Sequence, residues 1–224
     1  MKFHLVLGNQ AYSSWSLRGW LLFEAFGLEC THEVVPLWTD AFEQFERNHY
    51  PSLTVPTVLL NEGEEKLSVW DSLAITELLH EQFPQAGIWP KHILARAAAR
   101  SLVAEMHSGF THVRSTMPMN VKARYERFIP DSNTQREIDR ITMLWDWARS
   151  RWGDEGPYLF GSNMSAADVF YAPVASRFRT YGIDLNSANQ QYVDTLLAHP
   201  ATVDFYQAGL QEEWVIEEYE FDIV

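Results

Sequence analysis

The sequence has one cysteine and no run of basic residues. Cys30 has no second thiol with which to form an internal disulfide, which fits a reducing compartment. It lies among strand-like residues, so we interpret it as a small buried side chain rather than a nucleophile. The chain carries 17 basic and 30 acidic residues, a formal charge of −13. Such a surface repels phosphate groups, and this excludes nucleic acid and anionic membranes as the expected partners.

Long hydrophobic runs are missing as well. Nowhere do about 18 uncharged apolar residues follow one another, and the N-terminus leads directly into a strand-like pattern without an apolar leader. We therefore expect a cytoplasmic protein.

Motifs for metal binding and for hydrolytic serine chemistry are also absent. His107 and His112 lie about 140° apart around a helix and lack cysteine or acidic companions at ligand spacing. No Gly-x-Ser-x-Gly motif is present, so a hydrolase serine is not expected. We expect no metal site.

Apolar residues, by contrast, make up 46% of the chain, which is ample for a buried core. From Lys2 to about Phe83, short strand-like runs alternate with helical patterns, as in a small α/β unit. The segment "FPQAGIWPKH" then carries two prolines and a glycine, which is typical of a linker. All later patterns are helical and include a long helix from about Ile93 to Thr116. We predict an α/β domain over 1–83, a linker over 84–92 and an all-α domain over 93–224.

Three motifs of the α/β unit are candidates for a binding site. The first is "AYSSWSLR", which places Ser13, Ser14 and Ser16 between a predicted strand and a predicted helix. Serine is a preferred N-cap residue, because its oxygen accepts a backbone N–H that the first turn leaves unpaired. One serine is enough for capping, so the other hydroxyls need a different explanation.

The second motif is "LTVPTVLL", in which Pro56 opens a strand-like run. A cis Val55–Pro56 bond would turn the main-chain groups of Val55 away from the sheet and leave them free to pair with an extended peptide-like ligand. An ordinary trans proline at the start of a strand explains the motif equally well.

The third motif is "SVWDSLAITELL", with Asp71 and Ser72 at the start of a predicted helix. Asp71 fits a helix cap. The same geometry suits a free amino-acid end, because the N–H groups would bind its carboxylate while Asp71 would bind its ammonium. The sequence leaves both interpretations open.

In this order, the three motifs resemble the thioredoxin-like half of the cytosolic glutathione S-transferases. The helical remainder resembles their second domain, in which Ser165 and Asp168 have the spacing of a capping box. The resemblance implies a thioredoxin-like domain followed by a helical bundle, glutathione as co-substrate, a small electrophile as second substrate, and a homodimer. "SSWSLR" is most similar to the serine-type classes, above all the zeta class with Ser-Ser-Cys-x-x-Arg. Trp15 replaces that cysteine, which weakens an assignment as a maleylacetoacetate isomerase.

The resemblance also assigns the residues of the thiol site. It places the catalytic serine at Ser13 and the second serine at Ser14. Lowering a thiol pKa by about two units requires roughly 2.7 kcal/mol, and a hydroxyl that donates to a charged acceptor contributes about 1.5–3 kcal/mol. One serine is therefore sufficient for activation, and we expect Ser14 or Ser16 to cap the helix or to support it.

The remaining glutathione contacts follow from the same resemblance. Val55 and Pro56 would hold the cysteinyl part, and Asp71 and Ser72 the γ-glutamyl end. The resemblance gives no match for the residue that holds the glycyl carboxylate, and Trp38 and His49 are the candidates for it.

The electrophile pocket is expected on the long predicted helix. His107, Phe110 and Arg114 fall on one stripe at helical spacing. We hypothesise that His107 and Arg114 favour an anionic co-substrate, while a plain domain interface explains the stripe as well.

The sequence thus predicts a glutathione transferase that activates the thiol as thiolate. Two alternatives stay open: a glutathione-dependent cis–trans isomerase, and a binding or regulatory protein of the same fold without the thiol chemistry.

Overall fold

The computed structural model of the protein describes residues 2–125, 127–153 and 156–221. The first part is a mixed sheet with helices, made of β1 (Lys2–Leu7), α1 (Ser14–Glu24), β2 (Thr31–Val34), α2 (Asp40–His49), β3 (Thr57–Glu62), β4 (Glu65–Val69) and α3 (Ser72–Gln82). The strand order is β2-β1-β3-β4. Strand β1 runs parallel to β2 and antiparallel to β3, so that Leu5 pairs with His32 on one side and Val58 on the other.

The second part is helical and contains α4 (Ile93–Ser108), α5 (Thr111–Thr116), α6 (Ser132–Trp152), α7 (Ala166–Thr180), α8 (Ser187–Ala198) and α9 (Pro200–Gln211). A short 3-10 turn, Glu217–Tyr219, follows. The predicted fold class, a thioredoxin-like domain followed by a helical domain, is confirmed. In the described parts of the chain, no helix is long and apolar enough to cross a membrane.

Helix α7 forms the centre of the molecule, and every residue in it except Arg179 is buried. The predicted capping box is present at its start. Asp168 Oδ2 accepts hydrogen bonds from the Ser165 N–H and hydroxyl, each at 2.8 Å. Asp168 Oδ1 accepts from the Leu159 N–H at 3.0 Å and from the Tyr192 hydroxyl at 2.9 Å. This fully buried carboxylate joins α7, α8 and the loop before α7.

Two glycines allow close approaches that position the loops around the site. A Cβ at Gly19 of α1 would lie 2.5 Å from the Pro56 Cβ, so the absence of a side chain lets Pro56 pack against α1. A Cβ at Gly209 of α9 would lie 2.9 Å from the Ala11 nitrogen. The turn between β1 and α1 is therefore held directly against the helical domain.

The prediction of one helix from about Ile93 to Thr116 is wrong. Helix α4 ends at Ser108, Gly109 is extended, and Phe110 has a left-handed backbone with φ 55° before α5 begins. The break reorients the chain, so His107, Phe110 and Arg114 do not form one stripe.

Candidate functional site

A cavity of about 730 Å³ opens where the start of α1 faces α5 and α7. Its walls come from both parts of the molecule and from the C-terminal segment. The residues that line it are Tyr12, Ser13, Ser14, Trp15, Leu37, Trp38, Phe42, Leu53, Thr54, Val55, Asp71, Thr111, Arg114, Ser115, Pro118, Met119, Arg177 and Tyr219.

The three serines before and within α1 have three different partners. Ser13 is the N-cap, and its Oγ accepts from the Ser16 N–H at 3.1 Å. Ser16 Oγ accepts from the Gly8 N–H at 2.8 Å and so ties the helix to the end of β1. Ser14 Oγ accepts from Arg177 Nη2 at 3.2 Å. The helix cap is therefore Ser13 itself, and Ser16 supports the helix from within its first turn.

Capping leaves the Ser13 proton available. A serine hydroxyl accepts and donates at the same time, and capping uses only its oxygen. Ser13 and Ser14 both line the cavity at the N-terminal end of α1, where the helix dipole favours negative charge. The arrangement can therefore donate a hydrogen bond to an anion in the cavity.

Tyr12 also lines the cavity, and its role was not predicted. Its hydroxyl donates to Glu220 Oε1 at 2.6 Å, and its side chain is buried. Burial and the neighbouring Glu220 carboxylate raise the pKa of Tyr12 well above its usual value. The Tyr12 proton is thus committed to Glu220, while that of Ser13 is not.

The Val55–Pro56 peptide bond is cis. Val55 lines the cavity, and Pro56 lies buried behind it against Gly19. Within the part of the chain that the structure describes, the main-chain groups of Val55 form no hydrogen bond. They remain available for an extended ligand.

Asp71 caps α3 and faces the same cavity. Its Oδ1 accepts from the Leu73 N–H at 2.9 Å, and its Oδ2 lies 3.1 Å from His107 Nε2. The Trp70–Asp71 peptide bond is cis. Ser72 is fully buried behind Asp71, and its hydroxyl has no hydrogen-bond partner among the described residues.

The rim carries two aromatic side chains. Trp38 is 63% exposed. Its ring contacts that of Tyr219 edge to face, with the centroids 6.1 Å apart. Tyr219 belongs to the C-terminal segment and was not predicted as a site residue, because its sequence neighbourhood of glutamates resembles a solvated tail.

Two arginines of the helical part also line the cavity. Arg177 is 4% exposed and donates from Nε to the Met117 carbonyl at 2.8 Å, in addition to its bond to Ser14. Burial lowers the pKa of Arg177 to about 10, so it stays charged at neutral pH. The Arg114 guanidinium lies 4.7 Å from the centre of the Trp15 ring. Sequence reasoning missed Arg177, because a basic residue within an apolar helix gives no sign of the direction in which it points.

The other two residues of the predicted stripe lie elsewhere. His107 packs edge to face on Trp15 and contacts Asp71, outside the cavity lining. Phe110 borders a shallow groove with Glu105 and Arg140 on another face. Of the three, Arg114 alone reaches the cavity.

Neither a metal ligand set nor a reactive thiol accompanies the site in the described ranges. No group of three or more histidine, cysteine, aspartate or glutamate side chains is placed to hold a metal ion there. Burial raises the pKa of the Cys30 thiol to about 11, and Cys30 does not line the cavity.

Comparison with known proteins gives matches over both parts of the chain. Residues 12–82 match the family model of the glutathione S-transferase N-terminal domain, and residues 131–208 match that of the C-terminal domain. A curated relative, the stringent starvation protein A homolog of Pasteurella multocida (strain Pm70), is 23% identical over 184 residues, which cover 82% of this chain and 79% of the relative.

Solved structures of glutathione transferases and a maleylacetoacetate isomerase are similar in fold. A glutathione transferase homolog from Burkholderia gl BGR1 with bound glutathione is 21% identical, with a TM-score of 0.67, and the alignment covers 95% of this chain and 100% of that one. A maleylacetoacetate isomerase from Anaeromyxobacter dehalogenans 2CP-1, with bound dicarboxyethyl glutathione and citrate, is 18% identical with a TM-score of 0.59, and covers 93% and 90%.

Proposed function

Because this chain belongs to the glutathione S-transferase family, we propose that it binds glutathione and activates its thiol for attack on a small electrophile. The observation that carries the proposal is the Ser13 hydroxyl. It lies in the cavity at the N-terminus of α1, with its oxygen occupied and its proton free. Ser13 would donate to the thiolate, and no general base is needed because the serine does not act as a nucleophile.

Glutathione recognition would use the surfaces around Ser13. The free main-chain groups of Val55 would pair with the cysteinyl residue, with Pro56 fixed behind them. Asp71 would bind the α-ammonium group, and the start of α3 at Ser72 the α-carboxylate. Trp38 would border the glycyl end. A cavity of about 730 Å³ has room for the tripeptide and a second small molecule.

The energies are of the size required. The thiolate gains about 1.5–3 kcal/mol from a hydroxyl donor and roughly 0.3–1 kcal/mol from the helix N-terminus. Together these lower the thiol pKa by one to three units at about 1.36 kcal/mol per unit. Arg177 adds positive charge through its bond to Ser14. The thiolate would then be a major species near neutral pH.

The second substrate is proposed to be an anionic electrophile. Arg114 and Arg177 line the cavity, and the hydrogen bonds of Arg177 go to uncharged partners: two carbonyls and a hydroxyl. A carboxylate next to the reacting carbon would satisfy this charge. The wall is thus cationic in a chain with a net charge of −13.

A matched pair of electrophiles, one with a carboxylate and one with its methyl ester, tests this function. Wild-type protein is expected to form a thiolate band in ultraviolet difference spectra with glutathione and to turn over the anionic member faster. Arg177→Met and Arg114→Met should each reduce kcat/KM for the anionic member by about tenfold to a hundredfold. In the same variants, kcat/KM for the methyl ester should change less than about threefold.

Arg179→Met is the matched control, since Arg179 lies on the same helix but is exposed and does not line the cavity. This variant should leave kcat/KM for both electrophiles unchanged. Equal losses for both electrophiles in the Arg177 and Arg114 variants would refute recognition of the anion.

A second candidate is a binding or regulatory protein without thiol chemistry. It is favoured by the relative from Pasteurella multocida, whose name, stringent starvation protein A homolog, is not that of a transferase. Glutathione binding without a thiolate band in the wild-type protein would support this candidate over the transferase. The glutathione-dependent isomerase, the homodimer and the cytoplasmic location stay predictions.

A further inference from the structure

We propose that His107 is a positioning residue for glutathione: from the helical domain it holds the Asp71 carboxylate in the orientation that binds the α-ammonium group. The inference rests on the proposed function, in which Asp71 contacts that ammonium. It gives a role to a histidine that lies outside the cavity.

The Asp71 carboxylate is held at both oxygens, by one group from each part of the molecule. Its Oδ1 accepts from the Leu73 N–H of its own helix at 2.9 Å. Its Oδ2 lies 3.1 Å from His107 Nε2 on α4. A carboxylate offers about four lone-pair directions, so these two contacts leave others open toward the cavity. With the helix cap alone, the second oxygen would have no partner, and the carboxylate could turn about its bond to Cβ.

The surroundings of His107 determine which nitrogen carries the proton. Nδ1 is buried and has no hydrogen-bond partner among the described residues. With no acceptor at Nδ1, the neutral ring places its proton on Nε2, where it is donated to Asp71. Trp15 packs edge to face on the ring at 5.4 Å, and Phe170 lies at 6.3 Å. The ring is thereby fixed with Nε2 directed at the Asp71 carboxylate.

The expected consequence is confined to glutathione affinity. Loss of the His107 hydrogen bond leaves one oxygen of Asp71 without a partner. Binding of the ammonium group must then fix the orientation of the carboxylate. Hydrogen bonds to charged groups correspond to roughly tenfold or more in an equilibrium constant. The thiol and the electrophile lie at Ser13 and at the arginines, so kcat with saturating glutathione should remain the same.

The test compares His107→Leu with His107→Gln and measures KM for glutathione and for an analogue. In the analogue a glutaryl group replaces the γ-glutamyl group, so the α-amino group is missing. His107→Leu should raise KM for glutathione about tenfold and leave KM for the electrophile and kcat within about twofold. Gln restores the low KM because its amide donates to Asp71. For the analogue, wild type and His107→Leu should have equal KM values.

His112→Leu is the control, since His112 is an exposed histidine on the neighbouring helix. If the Leu variant fails to fold, His107→Asn, whose amide is too short to reach Asp71, makes the same comparison. An unchanged KM for glutathione, or an equal rise for glutathione and the analogue, would overturn the inference alone. Wild-type protein that binds no glutathione would overturn the proposed function, and this inference with it.

Discussion

Replacing Ser13 with alanine separates its two roles, as helix cap and as donor to the thiolate. The variant removes an acceptor for the Ser16 N–H, 3.1 Å away, and a donor that faces the cavity. Loss of an N-cap reduces the free energy of unfolding by about 0.5–2 kcal/mol. Loss of the donor affects only the ionised thiol.

The size of the second effect follows from the hydrogen bond. A donor to a charged acceptor contributes about 1.5–3 kcal/mol, which at 1.36 kcal/mol per unit raises the pKa of bound glutathione by about one to two units. For a wild-type thiol pKa lowered from about 8.5 to about 6.5, the thiolate fraction at pH 6.5 falls from about one half to below one tenth. We expect kcat/KM at that pH to fall in the same proportion, about fivefold to fiftyfold.

The assay is ultraviolet difference absorbance of the thiolate, together with kcat/KM, across pH. The difference between wild type and Ser13→Ala should disappear above about pH 9, where the thiol ionises in both. Asn186→Ala is the control, because Asn186 caps α8 through the Asn189 N–H at 2.8 Å, away from the cavity lining. It should lower stability similarly without moving the thiolate titration.

An unmoved thiolate titration in Ser13→Ala would refute the assigned role of Ser13. If Ser14→Ala then moved it, the donor would be Ser14. A loss of activity that is equal at every pH would also contradict the reasoning, since it would reflect damage to binding or folding.

Three other substitutions have defined outcomes. Gly19→Ala places a Cβ 2.5 Å from the Pro56 Cβ and should lower the free energy of unfolding by roughly 1–3 kcal/mol, as measured by urea denaturation. Tyr12→Phe removes the 2.6 Å hydrogen bond to Glu220 and should lower the free energy of unfolding by about 1 kcal/mol. It should leave the thiolate pH profile unchanged, because the raised pKa of Tyr12 keeps it protonated over that range; a shifted profile would implicate Tyr12 in activation. Asp168→Ala leaves two buried N–H groups unpaired and should lower the free energy of unfolding by about 3 kcal/mol or more. The midpoint of thermal unfolding should fall accordingly.

The order of local motifs made the fold predictable from the sequence. The Ser165–Asp168 spacing predicted a capping box, and the structure contains it. Such features depend on residues within a few positions of one another, so sequence spacing determines them.

Features that depend on distant packing were not predictable. The apolar periodicity continues through Gly109, so only the structure reveals the break that separates His107 from Arg114. Arg177 enters the cavity because α7 is buried on all sides, and no local pattern sets that orientation. The assignment of the cap to Ser13 rather than to its neighbours depends on the exact residue at which α1 begins, the least certain part of any sequence-based prediction.

The segment after α9 connects the two ends of the described chain. Glu212 accepts from the Gln10 and Ala11 N–H groups at 2.6 and 3.0 Å, and Glu220 accepts from Tyr12. Residues about 200 positions apart in the sequence therefore form one wall of the cavity together. During synthesis, the turn that presents Ser13 gains these acceptors only after residue 220 has left the ribosome. About 200 residues are thus made between the turn and the carboxylates that pair with its N–H groups. A nascent chain that stops before Glu212 leaves these N–H groups without their acceptors.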